Sequence, residues 1–96
     1  MLLSRFTIVG HSMEPALLAG DSVLVSSVPF LFVKPKMGDI IAFKKEGKIF
    51  IKRIIKKDEK KYFVKGDNKK DSLDSRRFGW VERKEIVGKV IYCLSA

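Results

Sequence analysis

The sequence predicts a mostly-β domain, a curled or barrel-like antiparallel sheet. Three observations predict it. Apolar residues nowhere recur at helical spacing for more than about two turns. β-Branched and aromatic residues gather instead in short runs. Gly and Pro punctuate the chain between those runs, and no internal repeat or low-complexity segment interrupts them. At 96 residues and 46% hydrophobic content, one domain over residues 1–96 is expected.

Taken in order, RFTIV (Arg5–Val9) reads as a strand ending at Gly10. MEPALLAGD (Met13–Asp21) reads as a short helical turn or loop closed by Gly20-Asp21. SVLVSSV (Ser22–Val28) is strand-like, and Pro29 and Pro35 then bracket an apolar loop, FLFVK. DIIAFKK (Asp39–Lys45) and KIFIKRIIKK (Lys48–Lys57) form two strands around Glu46-Gly47, which suits a tight hairpin. KYFVKG (Lys61–Gly66) and EIVGKVIYCL (Glu85–Leu94) complete the strands.

Composition narrows the function classes. Twenty Lys and Arg against 11 Asp and Glu give a formal charge of +9, concentrated in Lys44–Lys70. That balance suits an anionic surface. No aromatic residues interleave the cations in a nucleic-acid-binding pattern, so nucleic acid is not an expected partner. Cys93 is the only cysteine and His11 the only histidine. No intramolecular disulfide or cysteine-based metal cluster can form, no metal or cofactor is expected, and Cys93 reads as a small core residue. The longest uncharged stretch is Ser22–Val33, well short of the roughly 20 apolar residues that span a bilayer. No secretory signal or membrane-spanning helix is expected in this chain.

Three segments are poorly explained by strand formation alone. In G-H-S-M-E-P, Ser12 follows a strand on a sharply turned, accessible backbone. In I-K-R-I-I, Lys52 lies inside a large apolar run, with Phe50, Lys52 and Ile54 on one strand face. The third, Gly66–Trp80, is a polar loop rich in turn residues. A serine hydroxyl needs a neighbouring base. His11 is adjacent to Ser12 and would point to the opposite side, so it reads as a rim residue. A lysine can serve if neutral, yet only roughly 0.04% of a solvated lysine is unprotonated at pH 7. Burial penalises the ammonium and so favours the neutral amine, and Phe50, Ile51, Ile54 and Ile55 are the apolar neighbours such tuning requires.

Together these segments resemble the ordered motifs of type I signal peptidases. The nucleophile segment is G-x-S-M-x-P with L-x-x-G-D-x-V-x-V. The base-bearing segment is M-G-D-I-I-A-F-K followed by I-K-R-I-I. The last motif is G-D-N-x-x-x-S-x-D-S-R-x-F-G-x-V, carried by Gly66, Asp67, Asn68, Ser72, Asp74, Ser75, Arg76, Phe78, Gly79 and Val81. The resemblance covers roughly residues 8 to 90. It implies the catalytic-domain fold shared by signal peptidases and self-cleaving repressors. It also implies a serine endopeptidase with Ser12 as nucleophile and Lys52 as general base, cutting a leader or signal segment from a precursor after a small residue.

By the same resemblance, Ser72 orients the lysine amine, Asp74 and Arg76 form a supporting ion pair, and Met13 packs beneath the cleft. The Ser12 N–H supplies one oxyanion donor. Some members add a hydroxyl two residues earlier, where this chain has Gly10, so a second donor is unidentified. The chain looks like a short, anchorless member, similar to the peptidases predicted to mature nickel superoxide dismutase precursors. Val28–Val33 corresponds to a region that approaches lipid in the family, so peripheral contact with anionic membrane is expected. Soluble placement or the outer face of the cytoplasmic membrane both fit. The competing classes are a self-cleaving repressor-type regulatory domain and a non-catalytic basic binding module.

Overall fold

The computed structural model describes residues 3–68 and 80–95. Among the described residues, seven strands form one antiparallel sheet: β1 (Leu3–Thr7), β2 (Ser22–Ser26), β3 (Ile40–Lys45), β4 (Lys48–Lys57), β5 (Lys61–Lys65), β6 (Val81–Glu82) and β7 (Ile86–Leu94). Their order is β1-β2-β7-β3-β4-β5-β6, so the sheet ends at β1 and β6 and does not close.

Its curl has a local cause. Register shifts fall between Leu24 and Val25 in the β2–β7 pair, between Ala42 and Phe43 in β3–β7, and between Ile54 and Lys56 in β4–β5. Each such irregularity bends a strand and increases its twist. Together they fold a seven-stranded ribbon around its own core, the curled sheet that the short, Gly-punctuated runs predict.

The β3–β4 hairpin forms where expected. Lys45 pairs with Lys48, and the two intervening residues, Glu46 and Gly47, have φ of 53° and 77°. Two successive positive φ values mark the turn whose twist matches that of the flanking strands. A second device recurs before β2 and β3. Gly20 (φ 92°) and Gly38 (φ 95°) each precede a buried aspartate. The Asp21 and Asp39 carboxylates accept from the N–H three residues earlier, Leu18 and Lys36, at 3.0 and 3.1 Å. The two G-D dipeptides of the sequence are thus strand-entry turns.

Ile41 and Phe43 lie in one apolar cluster with Ile54, Tyr62, Val64 and Ile86, while Ala42 lies in another with Ile8, Met13, Leu17, Val23 and Val25. Successive β3 residues point to opposite faces, so β3 is buried on both sides, and its unbroken I-I-A-F run follows from that.

Several expectations shift. The first strand is Leu3–Thr7 rather than Arg5–Val9, because Ile8 leaves the sheet to close a loop: its N–H donates to Asp21 C=O, and its C=O accepts from Gly20 N–H. The second strand stops at Ser26. The apolar loop between the prolines contains one helical turn, α1 (Pro29–Phe32), which buries Phe30 and leaves Phe32 82% exposed. The two-residue β6 and the 3₁₀ turn Arg83–Glu85 carry too few residues for any periodicity to announce them. Among the described residues no helix is long and apolar enough to cross a membrane.

Candidate active site

Ser12 lies in the loop that leaves β1. The loop is fastened to the core by Met13 and Leu17, both buried, and Leu17 N–H donates to Met13 C=O at 2.9 Å. Held between buried Ile8 and buried Met13, the half-buried Ser12 faces β4. Lys52 sits mid-strand in β4 opposite Ile41, only 4% exposed. Its Nζ is 2.7 Å from Ser12 Oγ, a hydrogen bond joining residues 40 positions apart.

Both side chains open onto a cleft of about 180 Å³, bounded on one side by Phe6–Val9 and Met13, and on the other by Ile49–Lys52. Phe50 stacks on Phe43 at a ring separation of 5.7 Å and packs against the cluster around Ile54. Ile51 packs against the other cluster. Ile55, the fourth expected neighbour, is 40% exposed, because the irregularity between Ile54 and Lys56 turns it outward.

His11 behaves as a rim residue. Its side chain is 60% exposed and its Nδ1 meets the Glu14 carboxylate. Gly10 has φ +81°, a conformation L side chains rarely adopt, and a Cβ there would meet nothing within 4 Å. The position has room for a hydroxyl-bearing side chain but not the backbone for one. Cys93 is only half-buried, since β3 pairs with β7 only as far as Lys89 and β2 alone pairs with it at this level. Burial, and then the Asp21 carboxylate 3.8 Å away, push its thiol above the ordinary value. That is the opposite of an activated nucleophile. Ser72, Asp74 and Arg76 lie outside the described residues.

The next residue after the lysine, Arg53, adds a contact that sequence reasoning missed. Its Nε and Nη2 donate to the two carboxylate oxygens of Asp67 at 2.9 and 2.8 Å, and its Nη1 donates to Gly38 C=O at 2.9 Å. The bond with Asp67 raises the guanidinium further above its already high range. Asn68 then reaches the Ser12 loop: its N–H donates to Ser12 C=O at 2.8 Å and its Nδ2 to His11 C=O at 2.9 Å. The available signal was the adjacency K-R together with G-D-N, which the motif comparison included without giving these residues roles. Among the described residues no cluster of His, Cys, Asp and Glu could hold a metal.

A hydroxyl against a buried lysine amine, at the floor of a cleft in a curled antiparallel sheet, is an arrangement of the serine-peptidase class. The Peptidase S24-like family matches residues 4–91, so the chain belongs to that family, among signal peptidase-like serine peptidases. It is similar to signal peptidase I of Aquifex aeolicus (strain VF5), 42% identical over 77 residues that cover 75% of this chain and 30% of the relative. Against signal peptidase I of Buchnera aphidicola subsp. Baizongia pistaciae (strain Bp), identity is 56% over 32 residues, 33% of this chain and 10% of the relative. The chain thus spans less than a third of the length of either relative. A protein named inactive signal peptidase IA, from Staphylococcus aureus (strain Mu50 / ATCC 700699), is 24% identical over 140 aligned positions, covering 94% of this chain and 80% of the relative.

Proposed function

We propose that this chain is a serine endopeptidase that removes a leader or signal segment from a precursor protein, cutting after a small residue. The observation that carries the reading is the 2.7 Å contact between Ser12 Oγ and the buried Lys52 Nζ. Membership of the family does not by itself carry activity, as the relative named inactive illustrates.

With the amine neutral, the Ser12 hydroxyl donates to Nζ. As Oγ bonds to the substrate carbonyl carbon, its proton passes to Nζ and the carbonyl oxygen becomes an oxyanion. The resulting ammonium gives that proton to the leaving amine as the peptide C–N bond breaks. A water deprotonated by the same amine then hydrolyses the acyl-serine. Burial among apolar side chains disfavours the ammonium, which is why a lysine in this position can work near neutral pH.

The sheet also suits an extended substrate. β5 joins β4 only from Arg53 onward, β1 has β2 on one side alone, and the cleft lies between these two segments. A peptide strand laid there would gain main-chain hydrogen bonds from strand edges. The test is incubation with a panel of leader-bearing precursors and mass spectrometry of the cut position. Cleavage is expected from the wild type and not from a folded Ser12→Ala protein. Equal cleavage by both would sink the reading.

Peripheral contact with anionic membrane forms part of the same proposal. Leu31, Phe32 and Val33 are exposed around α1, and a hollow beside them is lined by Lys34, Lys60, Arg83 and Lys84 together with Glu59, Tyr62 and Glu82. The Arg83 guanidinium stands 5.5 Å from the Phe30 ring, which joins the apolar turn to the cationic hollow. Apolar insertion plus surface cations is the combination that holds proteins at anionic bilayers. Sedimentation with phosphatidylglycerol vesicles, but not phosphatidylcholine vesicles, is expected, and Phe32→Ser should weaken it. Equal recovery with both lipids would count against this contact.

A further inference from the structure

The two hydrogen bonds from Asn68 fix more than the position of a loop. The one cis peptide bond among the described residues is Glu14–Pro15, so the His11–Ser12 and Ser12–Met13 peptides are trans. In a planar trans peptide the C=O and the following N–H point to opposite sides. Holding His11 C=O against Asn68 Nδ2 therefore turns the Ser12 N–H away from Asn68. Holding Ser12 C=O against the Asn68 N–H turns the Met13 N–H in the same manner. The amide orientation is forced, because a backbone carbonyl can only accept. Among the described residues no backbone carbonyl accepts from the Ser12 N–H.

We propose that Asn68 is the positioning residue that aims the Ser12 N–H at the oxyanion. The inference rests on the serine-peptidase reading. Asn68 does not touch the reacting atoms; it acts through the peptide plane it holds. Its own placement comes from Asp67, gripped by Arg53, the residue beside the base. Base and oxyanion donor therefore hang from one frame running Lys52, Arg53, Asp67, Asn68, His11–Ser12. A donor aimed in advance costs no reorganisation when charge develops, which is the source of oxyanion-type stabilisation.

The test uses Asn68→Ala, which removes the Nδ2 donor and keeps the backbone N–H, with Asn68→Ser as a milder variant should alanine prevent folding. Three measurements are compared with the wild type: peptide hydrolysis, affinity for the uncleaved peptide measured in a Ser12→Ala background, and affinity for a peptide aldehyde. The aldehyde carbon bonds to Ser12 Oγ while the hydroxyl proton passes to Lys52, so its carbonyl oxygen becomes the anion that the donor must meet. Losing an oxyanion donor outright costs about 10²–10³ in kcat, and misaiming one should cost about 10–100-fold. The expected result is that kcat and aldehyde affinity fall by a common factor while peptide affinity stays within about twofold and the melting temperature holds. The Ser12 amide resonance should move in the free protein while those of Ile54 and Val64 stay put.

Unchanged kcat in Asn68→Ala would overturn the proposal. So would equal losses of kcat and peptide affinity, which would show a residue that merely holds the cleft open. If the wild type neither hydrolyses peptides nor binds the aldehyde, the serine-peptidase reading itself fails and takes this inference with it.

Discussion

Replacing Lys52 with methionine separates the chemistry of the buried amine from the packing of its stem. Lys52 is 4% exposed and faces Ile41 across the β3–β4 ladder, so its methylenes fill interior space. Truncation to alanine would remove that packing together with the amine, and emptying a buried site of this size costs about 2–5 kcal/mol. A Lys52→Ala protein without activity could have lost a base or a fold. Methionine keeps an unbranched stem and discards the polar end.

Two outcomes of opposite sign are then expected from one substitution. Turnover should fall by about 10²–10⁴, the range a positioned general base supplies. Stability should hold or rise. Burying an amine costs free energy that an apolar group of similar volume does not, and even whole buried ion pairs exchanged in this way leave stability unchanged or raise it by about 1–4 kcal/mol. The 2.7 Å bond to Ser12 offsets part of the amine's burial cost, which places the expected gain near the low end, about 1 kcal/mol. In a domain of this size that corresponds to a melting-temperature rise of about 4–8 °C. Peptide hydrolysis and thermal unfolding followed by circular dichroism read the two quantities on one preparation. Wild-type turnover in Lys52→Met would remove the lysine from the chemistry. A loss of more than about 2 kcal/mol would show the amine to be a net structural asset, and the desolvation argument would be wrong.

Three further substitutions test the scaffold around the site. A Cβ at Gly88 would lie 2.7 Å from Ser26 O and 2.9 Å from Val25 Cγ1. Backbone on one side cannot give way, so Gly88→Ala should cost about 1–3 kcal/mol by urea unfolding, and an unchanged midpoint would contradict the close approach of β7 to β2. Gly10→Ser should lower stability by about 1–2 kcal/mol through its φ of +81°, and it should not raise turnover despite the hydroxyl it brings. A faster enzyme would show that the loop accepts a second oxyanion donor there. Glu85 gives the pH dependence. Burial pushes its carboxyl up, but the Glu82 N–H at 2.8 Å and the Lys45 ammonium at 3.0 Å outweigh burial and hold it below its ordinary value. A depressed carboxyl contributes stability above its unfolded value and loses it as pH falls through the folded one. The deficit of Glu85→Gln should therefore be full near pH 6–7 and shrink below about pH 4, and a deficit independent of pH would refute the assignment.

The strands were legible because their burial is regular. Lys48–Lys57 has the bounds that its run of β-branched and apolar residues and the Glu46-Gly47 turn indicate. Ile55 was misread as a neighbour of the base because a bulge, which leaves no mark in composition, turns it outward. Ser12 and Lys52, which the fold brings into contact, stand out in the sequence for different reasons. A lysine among isoleucines violates the local pattern, and such violations gather at functional sites. A serine two residues after a glycine breaks no local pattern, so its turned, accessible segment gains a chemical reading only from the ordered motifs around it. Arg53 and Asn68 gained no role from the sequence because the bonds that join them to Asp67, Gly38, His11 and Ser12 span at least 14 positions. Their residue types, a basic residue in a basic chain and an asparagine in a turn-rich loop, are ordinary there.

On the proposed serine-peptidase reading, the distribution of the site over the fold follows from two requirements that no single element can meet. A lysine base must be shielded from water, and the interior of β4, with β3 on one flank and apolar clusters on both faces, provides that. A nucleophile must reach an incoming substrate, and a loop leaving the end strand of the sheet provides that. Loop and strand are far apart in sequence and would tolerate ångström-scale drift, whereas proton transfer requires heavy atoms within about 2.6–3.2 Å. The bridge from Arg53 through Asp67 and Asn68 to the His11 and Ser12 carbonyls removes that freedom. It attaches to β4 one residue beyond the base and to the loop at the nucleophile itself, the two points where a displacement would most directly change the Ser12–Lys52 distance. Anchors anywhere else would leave a lever arm between the fixed point and the reacting atoms.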